Sequence, residues 1–296
     1  MPELPEVETV KRGLEPVMAG MRFVRVEQRR PDLRLPLPER FAERLTGRKV
    51  LSLGRRAKYL LAFLDGDETL VIHLGMSGRL TVTLPQGAGR SRVLGEYTYD
   101  TGRNRAHDHV VFAMSGGAVI TYNDPRRFGL MTLVTNSEMA QHKLFAGLGV
   151  EPLDGELTAA YLAACAHNKA VDLKAFLMDQ RIVAGLGNIY VCEALFRCGL
   201  APSRGAAVLA RRNGRPSVHA ERLVPAIRSV LEEAITAGGS TLHDYTQADG
   251  TAGAFQNSFA VYGRSGERCT KPNCRGTIRR VVQAGRSTFF CGKCQR

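Results

Sequence analysis

Apolar residues recur every three or four positions at the start of the chain, at Leu4, Val7, Val10 and Leu14. That spacing draws one stripe along a helix. Pro5 suits a first helical turn, and Glu3, Glu6 and Glu8 suit its positive end. From residue 23 the period shortens. β-rich runs at 23–27, 50–53, 59–64, 69–74, 79–83, 110–114, 119–122 and 130–134 are separated by turn signals such as Asp65-Gly66-Asp67 and Ser115-Gly116-Gly117. Many short strands without helices between them predict a sandwich or barrel rather than βαβ units. Near residue 135 the period becomes helical, with helices expected over 137–148, 158–167, 171–180, 189–198 and 219–237. A hairpin with arms 277–282 and 287–290 closes the chain, and the stretches 85–105 and 203–217 read as loops. The pattern predicts an α+β chain in three parts: an N-terminal β-sandwich with a leading helix (1–135), a helical domain (136–260) and a small hairpin unit (261–296).

Composition narrows the function classes. The 296 residues carry a net charge of +13, a positive field that favours a polyanion, nucleic acid first. A basic enzyme with a small anionic substrate is the plainer alternative. The hydrophobic fraction of 44% supports packed cores and excludes a largely disordered chain. No apolar run approaches the ~20 residues of a membrane span. The opening Met-Pro-Glu-Leu-Pro-Glu lacks the layout of a secretory signal. A soluble cytoplasmic protein is expected.

Cys165, Cys192 and Cys198 sit singly in apolar, helix-like stretches and read as buried free thiols. Cys269, Cys274, Cys291 and Cys294 form a C-x4-C-x16-C-x2-C pattern across the predicted hairpin. Two thiolate pairs on turns bracketing a hairpin can close a tetrahedron around one structural Zn2+; an iron–sulfur cluster is the lesser alternative. Basic residues crowd this unit, including Arg279, Arg280, Arg286 and Lys293, as a phosphate-contacting surface would require.

Two further segments carry chemistry. Between residues 173 and 198 two amphipathic helices flank Gly185-Leu186-Gly187-Asn188, with Asn188 placed to cap the second. Helix starts and glycines suit a phosphate backbone, and an ordinary helical hairpin explains the segment equally well. At the terminus, removal of Met1 would expose the secondary amine of Pro2. An α-amino group titrates near 8, so more of it is neutral and nucleophilic than for lysine. Condensed with an aldehyde carbon it gives an iminium, an electron sink for elimination. Glu3 and Glu6 would supply nearby carboxylates. On the residues alone the simpler reading, a helix-starting Pro-Glu pair, prevails.

The segments PELPEVETVKRGLEP, RRAKYLL, HLGMSGRL, NDPRRFG, LMDQRIVAGLGNIY and VYGRSGERC…GRSTFFCGKCQ, in this order and over nearly the whole chain, closely resemble bacterial formamidopyrimidine-DNA glycosylases. The resemblance implies an N-terminal β-sandwich, a helix–two-turn–helix domain and a zinc finger, acting as a monomer on double-stranded DNA with an oxidised purine or abasic site. It implies excision of 8-oxoguanine and formamidopyrimidines, then β,δ-elimination. It assigns catalysis to Pro2, Glu3, Lys58 and Arg286, and DNA contact to His107, Arg126, Lys169 and Asn188. Met76, Arg126 and Phe128 match the residues that fill the gap left by a flipped base; without the resemblance Met76 and Phe128 read as core. Residues 241–262 match the segment that covers the flipped base. The protein would reside in the bacterial cytoplasm, on the nucleoid.

Three departures stand out. Four residues, instead of the family's usual two, separate the first cysteine pair; the 85–105 loop is longer and adds Arg90, Arg92, Arg103 and Arg105; and 203–217 is enlarged. The long loop reads as surface loop rather than as an extended DNA track. Endonuclease VIII-like enzymes share the architecture and prefer oxidised pyrimidines, but PELPEVE is closer to the purine branch. A DNA-binding damage sensor would need neither Pro2 nor Lys58, and a zinc-ribbon transcription factor would leave the β-rich half without purpose.

Overall fold

A computed structural model describes residues 1–85, 92–94, 104–240 and 254–296, with backbone alone for 92–94. The chain divides into two compact units, one of Met1–Ala146 with Ile235–Gln256, the other of Gly147–Ala234 with Asn257–Arg296.

In the first unit, α1 (Leu4–Met18) buries the predicted stripe of Leu4, Val7, Val10 and Leu14. Two antiparallel sheets follow. One holds β2 (Val50–Arg56), β3 (Tyr59–Leu64), β4 (Glu68–His73) and β9 (Leu130–Thr135), in that order. The other runs β1 (Phe23–Gln28), β7 (Asp108–Met114), β8 (Val119–Asn123), β5 (Arg79–Thr83) and β6 (Arg92–Leu94). Alternation decides the packing. Leu60, Ala62, Leu64, Leu70 and Ile72 of the first sheet share one core with Val110, Phe112, Met114, Ile120 and Tyr122 of the second. Val7, Val10 and Leu14 of α1, with Phe41 and Leu45 of α2 (Phe41–Leu45), complete that core. This is the expected sandwich.

Two local expectations fail here. The 85–105 stretch is not all loop, because β6 pairs with β5 from Leu80↔Leu94 to Val82↔Arg92. Over 137–148 there is no α-helix, only a 3-10 turn at Asn136–Glu138 and further turns. Phe145 is the one buried residue of that stretch, so no apolar stripe exists to hold a helix.

The second unit contains α3 (Ala159–Ala166), α4 (Leu173–Met178), α5 (Asn188–Cys198) and most of α6 (Val218–Thr236), with the hairpin of β10 (Ile278–Gln283) and β11 (Arg286–Cys291). Thr158 and Asp172 cap α3 and α4, their side chains accepting from Tyr161 N–H at 3.1 Å and Ala175 N–H at 2.8 Å. The α5 cap is Gly187, not Asn188, whose side chain turns elsewhere. One small core joins Cys192 and Phe196 of α5 to Val261, Ile278 and Phe289.

Candidate active site and metal centre

Pro2 and Glu3 are buried at the start of α1. The Glu3 N–H donates to Glu6 Oε2 at 2.8 Å. The other oxygen of Glu6 accepts from the Ser240 N–H at 2.9 Å and its hydroxyl at 3.0 Å. Glu6 thus ties the start of α1 to the chain leaving α6. Lys58, also buried, sits in the two-residue loop between Arg56 and its partner Tyr59. Ala57 takes a left-handed φ of 51°, which turns the strand sharply. Below the loop, Arg55 Nε approaches Glu8 of α1 at 3.3 Å and Arg55 Nη1 donates to Ala57 O at 3.0 Å. Burial raises the Glu8 carboxyl, but Lys11, Arg12 and Arg55 outweigh it and leave it below the usual range. A shared ion pair therefore fixes the Lys58 loop against the helix that begins with Pro2-Glu3.

The HLGMSGRL and NDPRRFG motifs form one interlocked structure. Asp124 is fully buried, accepting from Gly129 N–H at 2.9 Å, from Tyr122 hydroxyl at 3.1 Å and from Ser77 hydroxyl. Ser77 Oγ in turn accepts the Arg126 N–H at 3.2 Å. The two loops touch so closely that a Cβ on Gly75 would lie 2.3 Å from the Phe128 carbonyl carbon, and one on Gly129 1.8 Å from the Tyr122 hydroxyl. Glycine is required at both. The exposed ends of this structure are Arg126 and Phe128, the guanidinium carbon 4.6 Å from the ring centroid, beside half-buried Met76. The three sequence-chosen side chains are thus carried by one rigid double loop. His107, half-buried, precedes β7, its carbonyl accepting the Asp124 N–H at 3.0 Å.

His73 pairs with Tyr59 across β3 and β4, the rings 5.0 Å apart, and its Nδ1 accepts the Gly75 N–H at 3.0 Å. Desolvation, with Lys58 and Arg34 adding to it, pushes His73 down to about 4. Its ring is neutral at neutral pH. Exposed Arg34 is tethered through its N–H to Gly129 O at 3.0 Å.

In the second unit, Asn188 donates to Ser287 O at 3.0 Å and to the Tyr262 hydroxyl at 3.3 Å, while its buried Oδ1 has no hydrogen-bond partner among the described residues. Lys169 is exposed just beyond α3, and Arg286 is exposed at the start of β11. Sequence reasoning missed three anchors, two of them buried (Lys174 and Glu193) and one half-buried (Gln180). Lys174 of α4 donates to Thr288 Oγ1 at 2.6 Å and to Ser287 O at 3.2 Å. Glu193 of α5 accepts the N–H groups of Ala260, Val261 and Tyr262 at 2.9–3.0 Å. Gln180 binds Gly185 N–H and Leu186 O, both at 2.8 Å, and so shapes the turn before α5. Lys174 and Glu193 are charged residues inside amphipathic helices, which their surroundings in sequence mark as surface positions. Arg90, Arg103 and residues 241–253 of the expected covering segment lie outside the described residues.

The four predicted cysteines converge, with all sulfurs within 4.8 Å of one another. Cys269–Cys294 and Cys274–Cys291 are 3.6 and 3.7 Å apart. Zn–S bonds near 2.3 Å in a tetrahedron separate sulfurs by about 3.8 Å, so the cluster fits one zinc ion. The longer first knuckle is absorbed by a turn in which Lys271 O accepts Cys274 N–H at 3.1 Å, with Pro272 second and Asn273 at φ 62° third. A Cβ on Gly276 would lie 2.6 Å from Cys291 Sγ. The site is therefore a structural zinc centre held by Cys269, Cys274, Cys291 and Cys294.

Three family models match in series: the formamidopyrimidine-DNA glycosylase N-terminal domain over residues 1–131, the H2TH domain of the same enzymes over 148–246, and a zinc finger found in FPG and IleRS over 266–296. The formamidopyrimidine-DNA glycosylases of Methylobacterium radiotolerans and Methylocella silvestris are 58% and 55% identical over 296 residues, covering all of this chain and 99% and 100% of theirs. Among solved structures, Lactococcus lactis Fpg bound to DNA containing an abasic site superposes with a TM-score of 0.82 at 30% identity over 99% of each chain. Its complex with DNA containing N7-benzyl-Fapy-dG gives 0.82 at 31% over the full length of both.

Proposed function

The chain belongs to the formamidopyrimidine-DNA glycosylase family, and from that membership we infer that it is a DNA glycosylase of base excision repair. We further propose that it excises oxidised purines, 8-oxoguanine and formamidopyrimidines, from double-stranded DNA and then cuts the strand at the resulting abasic site. The observation that supports this most is the buried Pro2-Glu3 pair heading α1, in the same compact unit as the Lys58 loop ion-paired to that helix.

In the proposed mechanism Met1 is removed and the Pro2 nitrogen attacks C1′ of the damaged nucleotide. The N-glycosidic electron pair leaves with the base, which takes up a proton, and Glu3 exchanges the protons that base loss requires. Opening of the sugar ring, with O4′ protonated, leaves an iminium on Pro2. That cation acidifies C2′: its proton passes to a water molecule, the freed electron pair forms the C2′–C3′ double bond, and the C3′–O bond breaks as the 3′ phosphate leaves with a proton supplied by Lys58. Arg286 assists the second, δ departure, of the 5′ phosphate. Water hydrolyses the imine and frees Pro2.

The target base must leave the stack, which costs a few kcal/mol. Met76, Arg126 and Phe128, presented together by the double loop, are the proposed filling of the gap. His107, Arg126, Lys169 and Asn188 are the proposed DNA contacts. We retain 1–135, 136–260 and 261–296 as the functional division, a monomeric state, and a cytoplasmic, nucleoid-associated location as parts of this proposal. The test is a duplex with one 8-oxoguanine opposite cytosine. The expected product is a one-nucleotide gap with phosphate on both sides. Glu3→Gln is expected to retain DNA binding with excision collapsed, and equal excision rates would remove Glu3 from this role. Intact strands from wild-type protein that still binds the duplex would favour a non-catalytic damage sensor, and faster action on an oxidised pyrimidine the endonuclease VIII-like reading.

A further inference from the structure

Lys174 lies on α4, 1% exposed, beneath the β10–β11 hairpin. Its Nζ donates to Thr288 Oγ1 at 2.6 Å and to Ser287 O at 3.2 Å. Asn188 at the head of α5 donates to that same carbonyl at 3.0 Å. Two helices thus converge on one peptide of β11, and the residue immediately before it is Arg286. Beyond this anchor only the hairpin tip remains, with Gln283 paired to Arg286 across Ala284-Gly285, at φ 47° and 72°. Under the tip lies an open cavity of about 260 Å³, lined by Lys174, Met178, Asp179, Gln283 and Arg286 among others, so the tip borders open space on that side. Burying an amine this deeply is less favourable than burying a Met or Leu of similar volume, so packing alone does not account for lysine here.

We propose that Lys174 is a positioning residue for Arg286: by fixing Ser287 and Thr288 it sets where the Arg286 guanidinium stands during the δ step. This rests on the role proposed above for Arg286. The register of the hairpin makes the coupling direct, since residues 287 and 288 can shift only by carrying residue 286 with them. A displacement near 1 Å at a reacting group can lower a rate on the order of 100-fold, so loosening the anchor acts on the step Arg286 serves and spares steps carried by the first unit.

The experiment compares Lys174→Met, Lys174→Arg, Thr288→Val, Arg286→Ala and the double variant Lys174→Met/Arg286→Ala in the full-length zinc-loaded protein. It measures bound zinc, single-turnover excision of 8-oxoguanine, and the ratio of δ to β products on a preformed abasic duplex. Lys174→Met is expected to keep one zinc and to excise within about threefold of wild type, while its δ-to-β ratio falls about tenfold or more. Lys174→Arg recovers most of the ratio, Thr288→Val lowers it at least about threefold, and the double variant matches Arg286→Ala alone because the two act as a unit. If Arg286→Ala leaves the ratio unchanged, the reading of Arg286 fails, and this proposal with it. If Arg286→Ala lowers the ratio and Lys174→Met does not, or the two losses multiply, the positioning role alone is overturned. Should Lys174→Met fail to fold, an unchanged ratio in Thr288→Val overturns it equally.

Discussion

His73 shows how one residue's surroundings set its chemistry. Its folded value near 4 lies below the ordinary 6.5. Between these values the unfolded chain binds a proton that the folded chain refuses, so stability is intact above pH 6.5 and falls as pH drops toward 4. The full loss is about 3 kcal/mol, spread over that window. Denaturant unfolding at pH 7 and pH 4.5 should show this extra loss in wild type and a smaller one in His73→Gln; identical losses would mean the ring already titrates normally. Gly75 tests the double loop. With φ at +64° and a Cβ destined to lie 2.3 Å from Phe128 backbone, Gly75→Ala should lower stability by at least about 2 kcal/mol and weaken DNA binding. A variant of wild-type stability would show that the two loops do not interlock. At this scale the four cysteines were legible from their spacing, whereas Phe128 reads as core on the residues alone and the structure exposes it, so only the family resemblance pointed to its loop. Asp124 and Ser77, which fasten the two loops, lie inside the NDPRRFG and HLGMSGRL motifs, but nothing in their spacing says that the carboxyl of one is buried against the hydroxyl of the other.

Among elements, periodicity located the strands of the sandwich because each has one buried face that must alternate. It failed at 137–148, where apolar letters occur without a common face, and at β6, whose three residues are defined by backbone pairing with β5 rather than by any pattern of their own. The start of α5 was displaced by one residue because Asn188 resembles a cap, whereas tertiary contact with Ser287 draws its side chain away. The β10–β11 turn carries a strain the sequence hides. Ala284 occupies a left-handed position at φ 47°, unfavourable by roughly 1 kcal/mol for any residue with a Cβ. Ala284→Gly should therefore raise the stability of the finger, read as slower zinc loss to a chelator; faster loss would show that the turn is not strained.

For the whole molecule, charge and metal dominate. Cys269 and Cys291 belong to the small core of the second unit, so zinc and packing there are one system. Structural zinc supplies roughly 10–16 kcal/mol of apparent binding free energy in small modules. Cys291→Ser should release zinc and abolish tight DNA binding, and a metal-free protein of full affinity would refute the centre. A net charge of +13 predicts steep salt dependence of DNA binding. Neutralising about six phosphates weakens binding on the order of a thousandfold between 50 and 200 mM salt, whereas a flat response would contradict a polyanion interface. The α+β character was readable because the period changes from strand to helix near residue 135, and the terminal hairpin because its cysteine pairs bracket it. How the chain folds back, with Ile235–Gln256 joining the first unit, was not, since long-range pairings such as Glu6 with Ser240 leave no local trace.

The most direct test is borohydride reduction of the protein with duplex DNA carrying 8-oxoguanine, followed by mass spectrometry of the N-terminal peptide. A single sugar-phosphate adduct on the nitrogen of Pro2, with Met1 absent, is the expected result. An adduct on Lys58 or another lysine, or full activity in protein that still carries Met1, would contradict amine catalysis by the terminal proline.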